Sequence, residues 1–139
     1  MSIVVMASGL AALALGVWHL GVPRWFDFAA AIGADAGDPP LRPLRLGPWR
    51  HPTTRRDVLG VAWVMNAGTS YVLISIGVFG LGAPLWIGSE GGRWLAIWIA
   101  GWWGIRAVMQ LPMGRRRIDV LLVALFAVLA VVFGAAAFA

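Results

Sequence analysis

A few polar side chains interrupt the long apolar segments of this 139-residue chain, and two of them stand one helical turn apart. Arg106 and Gln110 occur in the segment WWGIRAVMQLP, and residues four apart lie on one face of a helix. Burying a charged side chain in an apolar medium is costly, so such residues often mark sites for ions or substrates. Because the chain has no carboxylate at the predicted depth of Arg106, this arginine is a candidate site for an anionic group.

A second polar stripe occurs in the segment NAGTSY, where Asn66 and Ser70 are four residues apart and Thr69 falls between them in angle. His19 interrupts another apolar segment near its end. Together with the first stripe and a neighbouring tryptophan, these side chains form one predicted ligand-binding cluster. Its members are Arg106, Asn66, Gln110, His19, Ser70, Thr69 and Trp102.

The cluster is predicted because its members have similar depths. Arg106 lies nine residues from Arg115 and Asn66 lies ten from Arg56, which correspond to ~13 to 15 Å of helix. The histidine and the glutamine lie nearer the arginines that end their segments. A structural interpretation stays open, in which Arg106 stretches to the lipid headgroups and the asparagine and serine hydrogen-bond a neighbouring helix.

Tryptophans form a ladder that leads toward the arginine. Trp94, Trp98 and Trp102 recur every four residues, and the guanidinium of Arg106 can stack on Trp102 or Trp103. The cofactor hypothesis is therefore a bound lipid, quinone or flat pigment along Trp94, Trp98 and Trp102. The alternative is that the ladder serves only helix packing.

The sequence carries no recognisable catalytic constellation. Its only histidines are His19, near the end of an apolar segment, and His51, in a proline-rich stretch, so a metal centre or a haem would need ligands from another chain. The absence of cysteine excludes thiolate chemistry and disulfides. No nucleophile motif, phosphate-binding glycine loop or carboxylate pair occurs in the apolar segments. We predict neither catalytic residues nor a metal site.

The elements that must position these residues are apolar helices. Hydrophobic residues make up 60% of the chain and charged residues 12%, with a mean hydropathy of +0.82, whereas an average soluble domain has about a quarter charged residues. A helix of about twenty apolar residues is ~30 Å long and can cross the hydrocarbon. Such runs cover residues 3–22, 58–81, 94–113 and 120–139. They predict an all-α integral membrane protein with a single four-helix transmembrane domain over residues 1–139.

All eleven basic residues are arginines, and their distribution predicts the orientation. Six lie between the first and second runs and three between the third and fourth, whereas the remaining connection holds only Glu90 and Arg93. The positive-inside rule then places the arginine-rich loops in the cytoplasm and both termini outside. A composition rich in Ala, Gly, Arg and Pro without Lys points to a bacterial cytoplasmic membrane. These loops explain the net charge of +5 without a nucleic-acid partner.

The first connection has its own organisation. The segment PRWFDFAAAIG, from Pro23 to Gly33, predicts either a short interfacial helix or a continuation of the first helix with a kink at Pro23. The following segment GDPPLRPLRLGPWRHP predicts an extended loop. Thr54 and Asp57 have the spacing of a capping box that starts the second long helix.

Arginines of this connection are candidates for binding anionic lipid headgroups, since each basic residue near such a surface contributes about 1 kcal/mol. The alternative is that they only set the topology. The candidate residues are Arg42, Arg45, Arg50, Arg55 and Arg56.

Three functional interpretations follow from these patterns. The first is a non-catalytic subunit of a larger membrane complex, which would dock through its tryptophan face and its last helix. The second is a homo-oligomeric transporter or channel, in which Arg106, Asn66 and His19 select an anion or an amphiphile. The third is a membrane enzyme acting on a lipid-linked substrate, which the shortage of acids and bases disfavours. The expected partners are the lipid bilayer and either other membrane subunits or further copies of this chain.

Overall fold

The computed structural model describes residues 1–33, 41, 44–46, 49–51, 53–111 and 117–139. Within these residues the chain is predominantly helical, which confirms the predicted helical class. The helices are α1 Ser2–Trp25, α2 Phe28–Ile32, α3 Arg55–Leu81, α4 Glu90–Gln110 and α5 Arg117–Ala136, with a short 3-10 helix at Ala83–Leu85. Two short strands, β1 Leu44–Leu46 and β2 Trp49–His51, separate α2 from α3.

Three of the helices, α1, α3 and α5, are long and apolar enough to cross a membrane. The remaining long helix, α4, has 21 residues, which is sufficient length for a span. Its sequence contains two arginines, a glutamate and several tryptophans and glycines, so it is less apolar than the other three. Tryptophan nevertheless has a large apolar ring with one polar N–H group, and it is common in membrane helices near the interface.

The segment around Pro23 combines features of the two predicted alternatives, a separate short helix and a continuation of the first helix. α1 continues through Pro23 and ends at Trp25, and a separate five-residue helix, α2, follows. Asp27, in the left-handed conformation at φ 41°, accepts a hydrogen bond from the N–H of Ala30 and begins α2. Gly33, at φ 70°, ends it. Continuation of the first helix past Pro23 is therefore confirmed, and the short helix predicted in this segment occurs but begins at Phe28.

The beginnings of the next two long helices are fixed by local hydrogen bonds. The Asp57 carboxylate accepts from the Thr54 N–H at 2.7 Å, and the Asp57 N–H donates to the Thr54 hydroxyl at 3.3 Å. This reciprocal pair confirms the predicted capping box. At the start of α4, the Ser89 hydroxyl accepts from the N–H of Gly92 at 3.0 Å. Consequently α4 begins four residues before the predicted span.

Within the described residues of the proline-rich connection, residues 44–46 and 49–51 form a strand pair that the prediction of a loop missed. β1 and β2 are antiparallel, with Leu44 opposite His51, Arg45 opposite Arg50 and Leu46 opposite Trp49. Proline fixes its own backbone and donates no hydrogen bond, so a proline-rich sequence favours extended backbone without predicting a partner strand.

The chain divides into two compact units, one comprising Met1–Leu13 with Ser75–Ala139 and the other Ala14–Ile74. In the first unit the start of α1 packs on the end of α3 through glycines. A Cβ atom built on Gly80 would lie 2.5 Å from the Cα of Gly9, so the two backbones touch directly. The single transmembrane domain over the whole chain remains a prediction.

α4 and α5 also pack together in the first unit. The Trp103 ring is fully buried and stacks on Phe126 with a centroid distance of 5.3 Å. In the second unit, α1 and α3 approach closely again, since a Cβ atom on Gly16 would lie 2.8 Å from the side chain of Ile74. Small residues at helix contacts are typical of membrane proteins, where van der Waals packing replaces the hydrophobic effect as the driving force.

Candidate functional site

A polar network joins α1 to α3 in the second unit, and it contains three of the predicted site residues. Asn66 donates from Nδ2 to the backbone carbonyl of His19 at 3.1 Å. The Ser70 hydroxyl donates to the backbone carbonyl of Asn66 at 2.8 Å, and His19 Nδ1 lies 3.3 Å from the Ser70 hydroxyl. Asn66 and Ser70 are buried. Sequence spacing predicted this proximity for Asn66 and Ser70, and similar depth predicted His19 as a member of the same cluster.

The backbone carbonyl of His19, which accepts the hydrogen bond from Asn66, explains why residue 66 is an asparagine. In an α-helix the carbonyl of residue 19 would accept a hydrogen bond from the N–H of residue 23. Residue 23 is proline, which lies inside α1 and has no N–H. Asn66 therefore supplies the hydrogen bond that Pro23 cannot, which is how neighbouring helices make proline tolerable within apolar helices.

The directions of the other hydrogen bonds determine the histidine tautomer. The single hydroxyl hydrogen of Ser70 goes to the Asn66 carbonyl, so the Ser70 oxygen must accept from His19. His19 Nδ1 therefore carries a proton. Thr69 is half-buried and takes no part in these bonds. Asn66 Oδ1 is buried and has no hydrogen-bond partner among the described residues.

The predicted arginine lies between α4 and α5 in the first unit, and aromatic rings surround it. The guanidinium carbon of Arg106 is 5.9 Å from the Trp102 ring centroid and 5.6 Å from that of Phe126. Both distances are within the range of cation–π attraction. Arg106 Nε is buried and has no hydrogen-bond acceptor in the part of the chain that the structure describes. Stacking thus holds the charged group without neutralising it.

Gln110, one turn beyond Arg106 on α4, is buried and has a different partner. Its side-chain amide donates to Asp119 in the first turn of α5 at 3.2 Å. α4 ends at Gln110, so Arg106 lies only about 6 Å along the axis from the end of its helix. The predicted span continues to residue 113, and its last two residues lie outside those that the structure describes.

The tryptophans Trp94, Trp98 and Trp102 become progressively less exposed along α4 and approach the contact with α5. Trp94 is 65% exposed, Trp98 is 51% exposed, and Trp102 is half-buried. A step of four residues rotates about 40° around a helix, so each rung lies closer to the buried side than the one before. Arg106 is the next position in the series. The ladder and the arginine consequently share one stripe of α4.

The predicted ligand-binding residues fall in both compact units. His19, Asn66 and Ser70 are brought together within the second unit, where Thr69 also lies. Trp102 and Arg106 are brought together within the first. Gln110 belongs to the first unit and pairs with Asp119. A single cluster of all seven residues remains a prediction.

The candidate lipid-binding arginines are described only in part. Arg55 Nη1 donates to the carbonyl of Gly33 at 3.0 Å, and therefore ties the start of α3 to the end of α2. Arg56 is exposed. Arg42 lies outside the described residues, as do the side chains of Arg45 and Arg50, whose backbones form the two strands.

Sequence reasoning missed three participants in these sites. Phe126 was predicted only as part of an apolar run, and Asp119 only as the residue before it. Their contacts with Arg106 and Gln110 depend on the register of α5 against α4, which the sequence does not show. Pro23 was considered only as a possible kink in the first helix or as the start of the next one. The signal that could have connected it to Asn66 was present, since a proline inside a helix leaves a carbonyl without its usual donor.

The described residues contain no group of three His, Cys, Asp or Glu side chains arranged to hold a metal ion. Comparison of the chain with protein-family models, curated proteins and solved structures finds no match.

Proposed function

We propose that this chain is a four-span membrane protein that acts as a non-catalytic subunit of a larger membrane complex, and that α4 provides its docking surface. The observation that carries this proposal is an uncovered apolar face on α4, opposite the side that packs on α5. We call it the outer face. Its members are Trp94, Ile97, Gly101, Ile105 and Val108.

The outer face has the composition and shape of a helix–helix contact. Ile105 and Val108 are 66% and 63% exposed. Between these residues and Trp94, a Cβ atom built on Gly101 would meet nothing within 4 Å. A glycine beside large apolar residues forms a notch into which another transmembrane helix can fit. Nothing among the described residues packs against Gly101, and a partner helix would fill this notch.

The polar side chains favour a subunit over an enzyme or a transporter. The His19 ring bonds to the Ser70 hydroxyl, while the Asn66 amide and the Ser70 hydroxyl donate to the helix carbonyls of His19 and Asn66, respectively. Gln110 bonds to Asp119. Side chains that satisfy one another stabilise helix contacts, whereas a catalytic base or a transport site must present its polar atoms to a substrate.

The proposal includes the membrane arrangement expected from the sequence. α4 joins α1, α3 and α5 as a fourth span, with the arginine-rich connections in the cytoplasm of a bacterium and both termini outside. The tryptophans of α4 support its insertion, because indole rings are favourable at the membrane interface. Cysteine accessibility labelling in intact cells tests the orientation and the span count. Position 88 should be labelled and position 35 should not, and position 139 should be labelled only if α4 is a fourth span.

Site-specific crosslinking tests the docking surface. A photo-reactive amino acid at Ile105, in chain expressed at native level, should crosslink to one distinct protein of defined stoichiometry. The same group at Tyr71, which is 73% exposed on α3, should not. The variant Gly101→Leu fills the notch and should abolish the adduct and the heteromeric complex. Gly68→Leu is the matched control, since a Cβ atom there also meets nothing within 4 Å.

Two results would overturn the proposal. One is a complex that survives Gly101→Leu unchanged. The other is a chain that purifies only as a homo-oligomer and moves solutes across liposomes, which would favour the transporter interpretation.

A further inference from the structure

We propose that the α4 stripe at Arg106 binds one anionic phospholipid, with the lipid phosphate on the Arg106 guanidinium and an acyl chain along Trp102 and Trp98. This inference rests on the membrane insertion proposed above but not on the subunit role. At Arg106 and Trp102 the stripe is also distinct from the outer face, since these two residues lie nearer the α5 contact, whereas Trp94 belongs to both.

The charge of Arg106 favours an anionic ligand. Arg106 stays positive at any physiological pH, and its Nε donor is buried without an acceptor among the described residues. A buried donor without a partner is costly, and the cost is removed when an anion arrives. A guanidinium presents several N–H groups in one plane and matches the oxygens of a phosphate in a bidentate manner.

The depth of Arg106 favours a phosphate that belongs to the bilayer. Arg106 lies one turn, about 6 Å, from the end of α4. A side chain of this length reaches the level of the headgroups from that position, where lipid phosphates are found. The nearby carboxylate, Asp119, already accepts a hydrogen bond from Gln110. The site therefore fits a lipid phosphate better than an ion in the middle of the membrane.

The tryptophans beside Arg106 favour a ligand with an apolar part. From a phosphate at Arg106, an acyl chain must run toward the bilayer centre, which is the direction of Trp102 and Trp98. Trp102 and Trp98 lie four and eight residues before Arg106, which correspond to about 6 and 12 Å along α4. Trp98 is 51% exposed and presents a flat apolar surface on the arginine stripe. A free phosphate ion would gain nothing from these rings, whereas a phospholipid would bury them.

Native mass spectrometry provides the test. Wild-type chain is reconstituted into vesicles of equal parts phosphatidylglycerol and phosphatidylcholine, extracted in mild detergent, and analysed for retained lipid. We expect one phosphatidylglycerol per chain, retained about tenfold over phosphatidylcholine, as one charge-assisted interaction allows. Arg106→Gln should reduce this preference to near parity, and Arg106→Lys should leave an intermediate value because lysine keeps the charge without the planar fork. Millimolar inorganic phosphate should not displace the lipid.

Arg93→Gln is the matched control, because Arg93 is an exposed arginine at the other end of α4, and it should keep the wild-type preference. If Arg106→Gln does not fold by circular dichroism, Trp102→Leu replaces it and should weaken retention about threefold. The lipid site is wrong if wild type shows no preference, if Arg106→Gln keeps it, or if free phosphate displaces the lipid. Loss of the heteromeric complex in Arg106→Gln, with lipid preference unchanged in the isolated chain, would assign Arg106 to a partner carboxylate instead. Failure of the subunit proposal alone would leave the lipid preference intact.

Discussion

The contact between α1 and α3 and the contact between α4 and α5 accommodate polar side chains in opposite ways. At the first, glycines such as Gly16 bring the backbones close, and Asn66 reaches a backbone carbonyl of the other helix. At the second, the rings of Trp103 and Phe126 fill the interface, and Arg106 lies against aromatic faces with one buried donor unpaired.

The difference separates a structural polar group from a candidate ligand site. Close backbones place a short side chain within hydrogen-bond distance of a neighbouring helix, so its polar atoms are used up in holding the pair together. Between α4 and α5, large rings fill the space beside Arg106, so its cationic side chain is stacked while its Nε has no acceptor among the described residues. Polar residues with similar depths in a sequence can thus have unrelated roles.

The strongest way to break the α1–α3 contact is to enlarge a glycine at its tightest point. Gly80→Val should lower the free energy of unfolding by about 3 kcal/mol, because overpacking forces two backbones apart. A Cβ atom there would lie 2.5 Å from the Cα of Gly9. Unfolding in a mixed-detergent titration, followed by circular dichroism, measures the loss.

Gly68→Val is the control for that change. It introduces the same β-branched residue into α3 at a position where a Cβ atom meets nothing within 4 Å. It should change stability by less than about 0.5 kcal/mol, as substitutions away from packed contacts do. Equal losses in the two variants would mean that helix propensity, not the contact with α1, sets the cost.

A second, smaller effect should come from the bond that compensates for Pro23. Asn66→Leu leaves the carbonyl of His19 without a donor and should cost about 1.5 kcal/mol, near the upper end for interhelical hydrogen bonds in membranes. In the background of Pro23→Ala, the backbone N–H at position 23 can bond this carbonyl itself, so the same substitution should cost much less. A double-mutant cycle on unfolding free energies measures the coupling.

That cycle tests the assigned role of Asn66 directly. Additive effects of the two substitutions would show that Asn66 acts independently of the proline. The interpretation of Asn66 as part of a ligand site would then regain support, because its Oδ1 atom is buried without a partner in the described chain.

The serine of the same network should contribute less. Ser70→Ala removes the hydroxyl that accepts from His19 and donates to the Asn66 carbonyl. That carbonyl can still accept a backbone hydrogen bond within α3, so we expect a loss of about 0.6 kcal/mol, the average for membrane hydrogen bonds. The same detergent titration measures it. A loss larger than that of Asn66→Leu would mean that the hydroxyl, and not the asparagine amide, is the main link between the two helices.

These cases also show what the sequence can predict. Periodicity predicted that Asn66 and Ser70 share a face and that Arg106 lies against Trp102 or Trp103, because both follow from positions on one helix. The structure places the guanidinium over Trp102. The hydrogen bond from Asn66 to the carbonyl of His19 depends on the register of α3 against α1. No single segment of the sequence determines that register. Hydropathy placed the start of the third span at Trp94 and not at Glu90, since it measures apolar residues and not the hydrogen bonds that begin a helix.

The smallest change in stability is expected for Arg106→Leu, and this variant tests most directly the difference between the α1–α3 and α4–α5 contacts. Arg106→Leu removes a half-buried cation whose Nε is buried without an acceptor among the described residues, so in detergent depleted of anionic lipid it should be neutral within about 0.5 kcal/mol or slightly stabilising. Adding phosphatidylglycerol should stabilise wild type and leave the variant unchanged, because only a ligand that binds the folded state raises its stability. The measurement is the unfolding midpoint with and without the lipid. A large loss in lipid-free detergent would place Arg106 with Asn66 among the residues that hold helices together, and the contrast between the two contacts would not hold.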